Sequence, residues 1–426
     1  IGNARAFVVF DVLRRYFEHL GYEVIYVQNI TDIDDRIIQQ SIDEGISFHD
    51  VAAKYTKAYF EDCAALGLKA PSVQPKATDV MPEIIALIDK LVQLGNAYEA
   101  GGDVYFAAQT LPQYGALSGK KLDDQLAGAR VEENAQKRHP ADFTLWKKSK
   151  PGEPVWQSPW GEGRPGWHSE CVVMSQKYLG ETFDIHGGGV DLVFPHHENE
   201  LAQATAITGK PLANYWMHNG FLNIDGEKMS KSLKNFFTAR EILAEYPAEA
   251  IRFFFLSKHY RSPIDFNREV IEESDRAVKT LYASLKSILS ADFSEDEIAS
   301  SANCLSSEFD AAMNDDLNTA KAIAVLFELA KSARNEKLHD ELRKNNAYML
   351  IKLGRVLGFF QNLRAELADR TPDLSRQLID LIVAYRMDAR AAKDWAASDR
   401  IRDDLARLGI ELKDSREGST WTIKEK

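Results

Sequence analysis

Apolar residues recur at Phe7, Phe10, Leu13 and Phe17, a spacing that predicts a helix over residues 4–20 with Gly21 as its stop. Residues 22–28 then read as a strand, and helical segments follow to about residue 66. At Pro71 and Pro75 the texture changes. A helix is predicted near residues 81–94, and Gly101-Gly102 reads as a turn into a strand at Asp103 to Phe106. Residues 123–139 are polar and read as an exposed excursion, and residues 140–166, rich in Pro, Gly and Trp, as an ordered but irregular stretch. Thr238-Ala239-Arg240-Glu241 fits a capping box ahead of a helical stem. From Thr280 onward Ala, Leu, Glu, Lys and Arg recur at helical period, the pattern of a bundle, and the last stretch pairs a helix with a strand-like end at residues 420–423.

These elements predict an α/β protein: a Rossmann-like nucleotide-binding domain split by an insertion, then a mostly helical stem and bundle, then a small terminal module. The expected divisions are residues 1–70 and 166–235 for the two halves of the sheet domain, 71–165 for the insertion, 236–300 for the stem, 301–387 for the bundle and 388–426 for the terminal module. The turn at Ile1-Gly2-Asn3 would aim a helix N-terminus at whatever binds there. The chain opens without methionine or targeting peptide, as though a first segment were missing.

Composition narrows the class. A chain of 426 residues with 45% apolar and 27% charged residues is an ordinary globular protein of two to four domains, and it holds no apolar run long enough to span a membrane. Cys63, Cys171 and Cys304 lie far apart, which argues against a disulfide framework and for a reducing cytoplasm. The formal charge of −12 weighs against indiscriminate nucleic-acid binding but leaves room for a local basic face.

Three constellations carry chemistry. In Lys228-Met229-Ser230-Lys231-Ser232, two lysines three apart suit an arm over a triphosphate, where they neutralise charge growing on the pyrophosphate leaving group. The second is Gly166-Trp167-His168-Ser169-Glu170-Cys171 followed by Asp184 to Gly189 and Phe194-Pro195-His196-His197-Glu198-Asn199-Glu200. Pro195 fits the first helical position, so His196 and Glu200 fall at i and i+4 on one face. With the thiolate of Cys171 they form a donor set suited to zinc with one position open, and His197 with Glu200 at i, i+3 is a geometric alternative. His186-Gly187-Gly188-Gly189 then Asp191 reads as a glycine-rich turn at a strand end, where backbone can approach a nucleotide closely. The third is C-terminal, Asp388-Ala389-Arg390 to Trp395, Asp399 and Asp414: arginine and aspartate are residue types able to read unstacked base edges, and a solvated helix face with pairs such as Arg390 and Asp394 at i, i+4 is the alternative.

The lysine loop, with Ile1-Gly2-Asn3 as the tail of a first signature, resembles the two signatures of class I aminoacyl-tRNA synthetases. The pattern around Cys171, His196 and Glu200 resembles the cysteinyl-tRNA synthetases in particular, and the likeness covers nearly the whole chain, including Asn314 to Thr319. The resemblance implies one zinc per chain on Cys171, His196 and Glu200, with a fourth ligand on a strand before Ile1. It implies a cysteine pocket closed by Trp167 and His186 with Thr31 nearby, and ATP contacts at Gly2, Gly187, Gly188, Asp191 and Lys231. Lys228, Lys231 and Asn3 would serve catalysis, and Arg390, Asp399 and Asp414 would meet the anticodon.

The implied reaction joins L-cysteine to ATP, accompanied by Mg2+, as cysteinyl-adenylate, then transfers the cysteinyl group to the terminal ribose of tRNA(Cys). A cytoplasmic monomer without membrane attachment is expected. Zinc would explain selection without editing: it takes a thiol as thiolate, whereas a serine hydroxyl is a poor ligand. An apolar pocket discriminates by only about 1–3 kcal/mol per methylene, but a bond the wrong substrate cannot form rejects it by several powers of ten. Two rivals are a ligase joining cysteine to a small amine, which would not need the terminal module, and a non-catalytic RNA-binding relative, which would need neither the lysine loop nor the zinc set.

Overall fold

Helix α1 (Gly2–His19) opens the chain. Residues 22–30 follow as extended backbone bound to residues 72–77 by two parallel bridges, Val27 with Val73 and Ile30 with Lys76. The expected strand at 22–28 is thus an extended segment with isolated bridges and no continuous ladder. Helices α2 (Asp35–Glu44) and α3 (Phe48–Ala65) start on the side-chain caps Asp34 and Ser47, which accept from the amides of Ile37 and Asp50. Helix α4 (Met81–Gln93) carries Pro82 in its first turn.

Strands β1 (Ala97–Ala100), β2 (Asp103–Phe106), β3 (Phe143–Lys148) and β4 (Gly163–Pro165) form one antiparallel sheet in that order. The stretch 140–166, expected to be irregular, therefore supplies two strands: Phe143, Leu145 and Trp146 bury against the sheet's own core, which local composition does not reveal. Helix α5 (Trp167–Leu179), strand β5 (Phe183–Gly189), helix α6 (Glu198–Thr208) and strand β6 (Ala213–Asn219) follow, with β5 and β6 parallel. This βαβ unit is the Rossmann-like half-sheet. Strand β7 (Leu222–Ile224) pairs antiparallel with β8 (Glu227–Lys228).

The capping box at Thr238 and Glu241 starts α7 (Ala239–Glu245) as expected, and α8 (Ala248–Leu256) follows. Strand β9 (Ile264–Phe266) pairs parallel with β7. Then come α9 (Arg268–Lys286), α10 (Glu295–Ser300), α11 (Leu305–Asn314), α12 (Thr319–Ala333), α13 (Asp340–Val356), α14 (Leu363–Ala368), α15 (Thr371–Ala391) and α16 (Trp395–Arg407), and the hairpin β10 (Ile410–Ser415) with β11 (Gly418–Ile423). The boundary expected at residue 388 falls inside α15, whose helical backbone runs through it.

The computed structural model describes residues 1–122, 136–224, 226–228, 237–302, 304–368, 371–415 and 418–423, so most of the polar excursion 123–139 lies outside the described residues. Two compact units separate: residues 1–288 with 294–361, and residues 289–293 with 362–426.

Within the first unit, α1 packs on β5, α8 and α13, so both its flanks are covered. Its buried residues include Ala4, Val8, Val12 and Tyr16, while Phe7, Leu13 and Phe17 stay partly exposed. Phe7 packs edge-to-face with Tyr59 and Phe17 with Tyr22, each at 5.6 Å between centroids. One core joins α4, the four-stranded sheet, α5, α6, Phe183 and Ala213, with Trp146 at its centre. The insertion thereby backs the helix that carries Cys171. No helix among the described residues is long and apolar enough to cross a membrane.

Candidate functional site

Helix α5 starts against β3: a Cβ on Gly166 would lie 2.1 Å from the carbonyl oxygen of Thr144, so only glycine admits that approach. Trp167, in the first turn, remains 50% exposed. One turn on, Cys171 faces the start of α6. There Phe194 is extended and helical backbone begins at Pro195 through a wide turn that leads into α6. His196 and Glu200 still share one face as expected, with Nε2 and Oε1 2.7 Å apart.

The Sγ of Cys171 lies 3.7 Å from His196 Nε2. Together with a Glu200 oxygen, these ligand atoms fall within 4.8 Å of one another. A second set, His186, His197 and Glu200, meets the same limit, so Glu200 is common to both. Its two oxygens are not equivalent: Oε2 sits 2.5 Å from His186 Nε2, whereas Oε1, fully buried, has no hydrogen-bond partner despite facing His196. A thiol, an imidazole nitrogen and an unsatisfied buried carboxylate oxygen converging on one point are a fitting donor set for zinc.

Burial pushes the Cys171 thiol well above its ordinary range, reinforced by the Glu200 and Glu170 carboxylates. Burial by itself would push Glu200 up as well, but the facing His186 and His196 hold its carboxyl well below the usual value. His168 and His197 are lowered to about 3 by burial, with neighbouring imidazoles adding to it. Both therefore stay neutral at physiological pH and can present a free ring nitrogen.

Around this cluster the structure gathers several expected residues. The Trp167 ring lies 4.0 Å from that of His196 between centroids. Thr31 donates its hydroxyl to Glu170 Oε1 at 2.7 Å, next along α5 to Cys171. Gly187 and Gly188 are not in a turn, as expected, but inside β5, paired with Met217 and His218. They are small because Phe10 of α1 would lie 2.3 Å, and His197 2.9 Å, from a Cβ there. Asp191 follows β5, exposed, with Oδ1 2.4 Å from where a Cβ of Gly189 would be. Gly2 and Asn3 form the first turn of α1. Lys228 lies on β8 opposite Asn223, and Lys231, like residues 229–236, lies outside the described residues.

The second unit brings together two of its three expected residues. Asp414 accepts both nitrogens of Arg386, at 2.8 and 2.9 Å, and Nη1 of Arg390 at 2.6 Å. Arg390 thus pairs with Asp414, while Asp394 caps α16 by accepting from the amide of Ala397. Asp399 stands apart on α16, 3.7 Å from Arg402.

Sequence reasoning missed four neighbours of the cluster. His168 meets His196 at 2.8 Å between Nδ1 atoms. Glu170 is fully buried and pushed well above the usual carboxyl range by burial, with Asp32 and Asp34 adding to it. His218 meets His197 at 2.8 Å, and the Trp216 ring lies tilted against His186, 4.7 Å between centroids. His168 and Glu170 stood inside the quoted motif and could have been flagged by their spacing from Cys171; His218 and Trp216 reach the cluster only through the β5–β6 register.

Residues 1–276 match the family described as tRNA synthetases class I (C) catalytic domain, and residues 308–361 the DALR domain. The chain is 50% identical over 440 residues to a cysteine–tRNA ligase of Desulforudis audaxviator, covering 99% of this chain and 92% of that one. It is 47% identical to the cysteine–tRNA ligase of Geobacter metallireducens, covering 100% and 92%. Among solved structures, methionyl-tRNA synthetase of Mycobacterium tuberculosis with methionyl-adenylate superposes with a TM-score of 0.59 over 90% of each chain at 14% identity, a likeness of fold.

Proposed function

The chain belongs to the class I cysteine–tRNA ligases, and on that premise we propose that Cys171, His196 and Glu200 hold a zinc ion that selects the substrate thiol. The enzyme activates L-cysteine with ATP, forming cysteinyl-adenylate and pyrophosphate, and transfers the cysteinyl group to the terminal ribose of its tRNA. The observation that carries the zinc reading is the convergence of His196 Nε2, Cys171 Sγ and the buried Oε1 of Glu200, which lies 2.7 Å from that nitrogen without accepting a hydrogen bond. It favours this set over His186, His197 and Glu200, because Glu200 Oε2 already makes a hydrogen bond with His186 whereas Oε1 makes none. The zinc would supply a bond that a thiolate makes and a hydroxyl does not.

The chain's own groups do the rest. Trp167, over the His196 ring, and His186 would wall the side-chain pocket, and Thr31, oriented by Glu170, would contact the amino acid. The first turn of α1 at Gly2 and Asn3 offers amides and a helix N-terminus to anionic groups. Gly187, Gly188 and Asp191 would border the nucleotide. Lys228 and Lys231 would stabilise the charge that develops on pyrophosphate, so positioning and electrostatics suffice without a covalent enzyme intermediate. Arg390, Asp399 and Asp414 would meet the anticodon. Mg2+ would accompany ATP, and a monomer acting in the cytoplasm completes the proposal.

The small-amine ligase reading is disfavoured because cysteine–tRNA ligases match the chain through its C-terminal end. The test is cysteine-dependent ATP–pyrophosphate exchange with serine as competitor, run beside zinc analysis. Full discrimination in zinc-free enzyme would overturn the metal reading.

A further inference from the structure

Arg5 lies one turn into α1, on the helix that carries Gly2 and Asn3, and is 1% exposed. Its guanidinium ends in a ring of four backbone carbonyls. Nη1 donates to Gly220 at 2.8 Å and Phe221 at 3.1 Å, and Nη2 to His259 at 3.2 Å and Ser262 at 2.7 Å. Nε is buried and finds no acceptor among the described residues.

The two loops that supply those carbonyls are the roots of one small sheet. Residues 220–221 connect β6 to β7, and residues 259–262 lead into β9; β7 lies between β9 and β8, with Asn223 opposite both Asp265 and Lys228. The loops touch backbone to backbone. The amide of Gly220 donates to Tyr260 at 2.8 Å and that of Ile264 to Phe221 at 3.0 Å. A Cβ on Gly220 would lie 2.6 Å from the carbonyl oxygens of Arg261 and Ser262. Asp316 holds the second loop from behind, accepting from Tyr260 at 2.8 Å and Arg261 at 2.6 Å. A single side chain therefore joins the helix bearing Gly2 and Asn3 to the sheet bearing Lys228.

Holding a cation here is costly. Carbonyls satisfy its two terminal nitrogens but do not neutralise it, and burial alone lowers the Arg5 guanidinium to about 10. An apolar side chain would fill the space without that cost but could not bind four carbonyls. Lysine keeps the charge and loses the planar fork that reaches two acceptors from each terminal nitrogen.

We infer that Arg5 is a positioning residue for adenylate formation, setting the first turn of α1 against the strand that carries Lys228. The inference rests on the reading in which Lys228 meets charge developing on pyrophosphate. Since such stabilisation depends on placement to a fraction of an ångström, loosening the tie acts on the rate and not on ground-state binding of cysteine.

The test is a double-mutant cycle in the full chain, read by ATP–pyrophosphate exchange and single-turnover adenylate formation, each normalised to folded protein. Arg5→Lys alone should slow adenylate formation by about 10–100-fold and leave the KM for cysteine within about twofold. Added to Lys228→Ala, it should cost about threefold or less, because the group it positions has lost its charge. Arg5→Gln, which keeps a planar donor, replaces Arg5→Lys if the latter does not fold. Losses that multiply, or a KM that rises in step with the loss of rate, would mean that Arg5 only supports the fold and would overturn the inference. A Lys228→Ala enzyme as fast as the wild type would remove the reading of Lys228, and this inference with it, before any Arg5 variant is measured.

Discussion

His168 and His196 face each other through their Nδ1 atoms at 2.8 Å, so one ring donates and the other accepts. The arrangement holds the tilt of the ring and leaves His196 Nε2 directed at Cys171 and Glu200; for that nitrogen to take a metal, Nδ1 carries the proton and donates it to His168. His168→Ala should therefore lower zinc affinity by about 10–100-fold without removing a ligand. Cys171→Ser should abolish stoichiometric zinc and cysteine activation together. Metal content at graded chelator concentrations measures both; an unchanged affinity in His168→Ala would show that the contact does not orient the ligand.

The lysine loop has a different signature. Lys231→Ala should slow adenylate formation by about two to four orders of magnitude, since the charge it meets exists chiefly in the transition state, and leave cysteine binding nearly unchanged. Single-turnover kinetics separate the two, and a loss confined to cysteine affinity would reassign Lys231.

Acid sensitivity should trace to the ion pair under α1. Asp11 Oδ2 lies 2.6 Å from Arg252, whose side chain is fully buried. Burial by itself raises the Asp11 carboxyl, but Arg252, Arg15 and the amide of Lys69 bring it below its usual 3.8. A carboxyl lowered on folding contributes stability that is fully present above its unfolded value and lost as pH falls through its folded one. Asp11→Asn should cost on the order of 3–5 kcal/mol at neutral pH, because the buried Arg252 loses the carboxylate it is hydrogen-bonded to, and should flatten the decline in Tm below about pH 4. Equal acid slopes for the two proteins would assign the acid loss to other groups.

The C-terminal proposal separates the two steps of the reaction. Removing residues 362–426 should leave ATP–pyrophosphate exchange largely intact and cripple cysteinylation of tRNA. Asp414→Ala should weaken discrimination between anticodons more than general RNA affinity, since base contacts specify and phosphate contacts mainly supply affinity. It also releases Arg386 and Arg390 from their shared partner, so Arg386→Ala, which loosens the module while sparing Asp414, is the needed control. Charging that is unchanged after the deletion would remove any anticodon role for this unit.

What the amino-acid sequence determined by itself was whatever depends on neighbours three or four residues apart. The i, i+4 placement of His196 and Glu200, the capping box at Thr238, the helix over the first twenty residues and the lysine motif are of this kind, and the family likeness followed from such motifs in order. Tertiary structure decided what depends on pairing between distant segments. The glycines after His186 looked like a turn and are a strand, because the partner that makes them one is β6. Phe143 to Lys148 looked irregular and became a strand for the same reason. The apolar stripe read on α1 was Phe7, Phe10, Leu13 and Phe17, of which Phe10 is buried while Val8, Val9 and Val12 off the stripe are buried too, since packing on two sides sets burial and local period does not. Glu170 on Thr31, His168 on His196, and Arg5 in its ring of carbonyls are likewise contacts across 139, 28 and more than 200 residues. Only the folded chain brings those groups within hydrogen-bond reach.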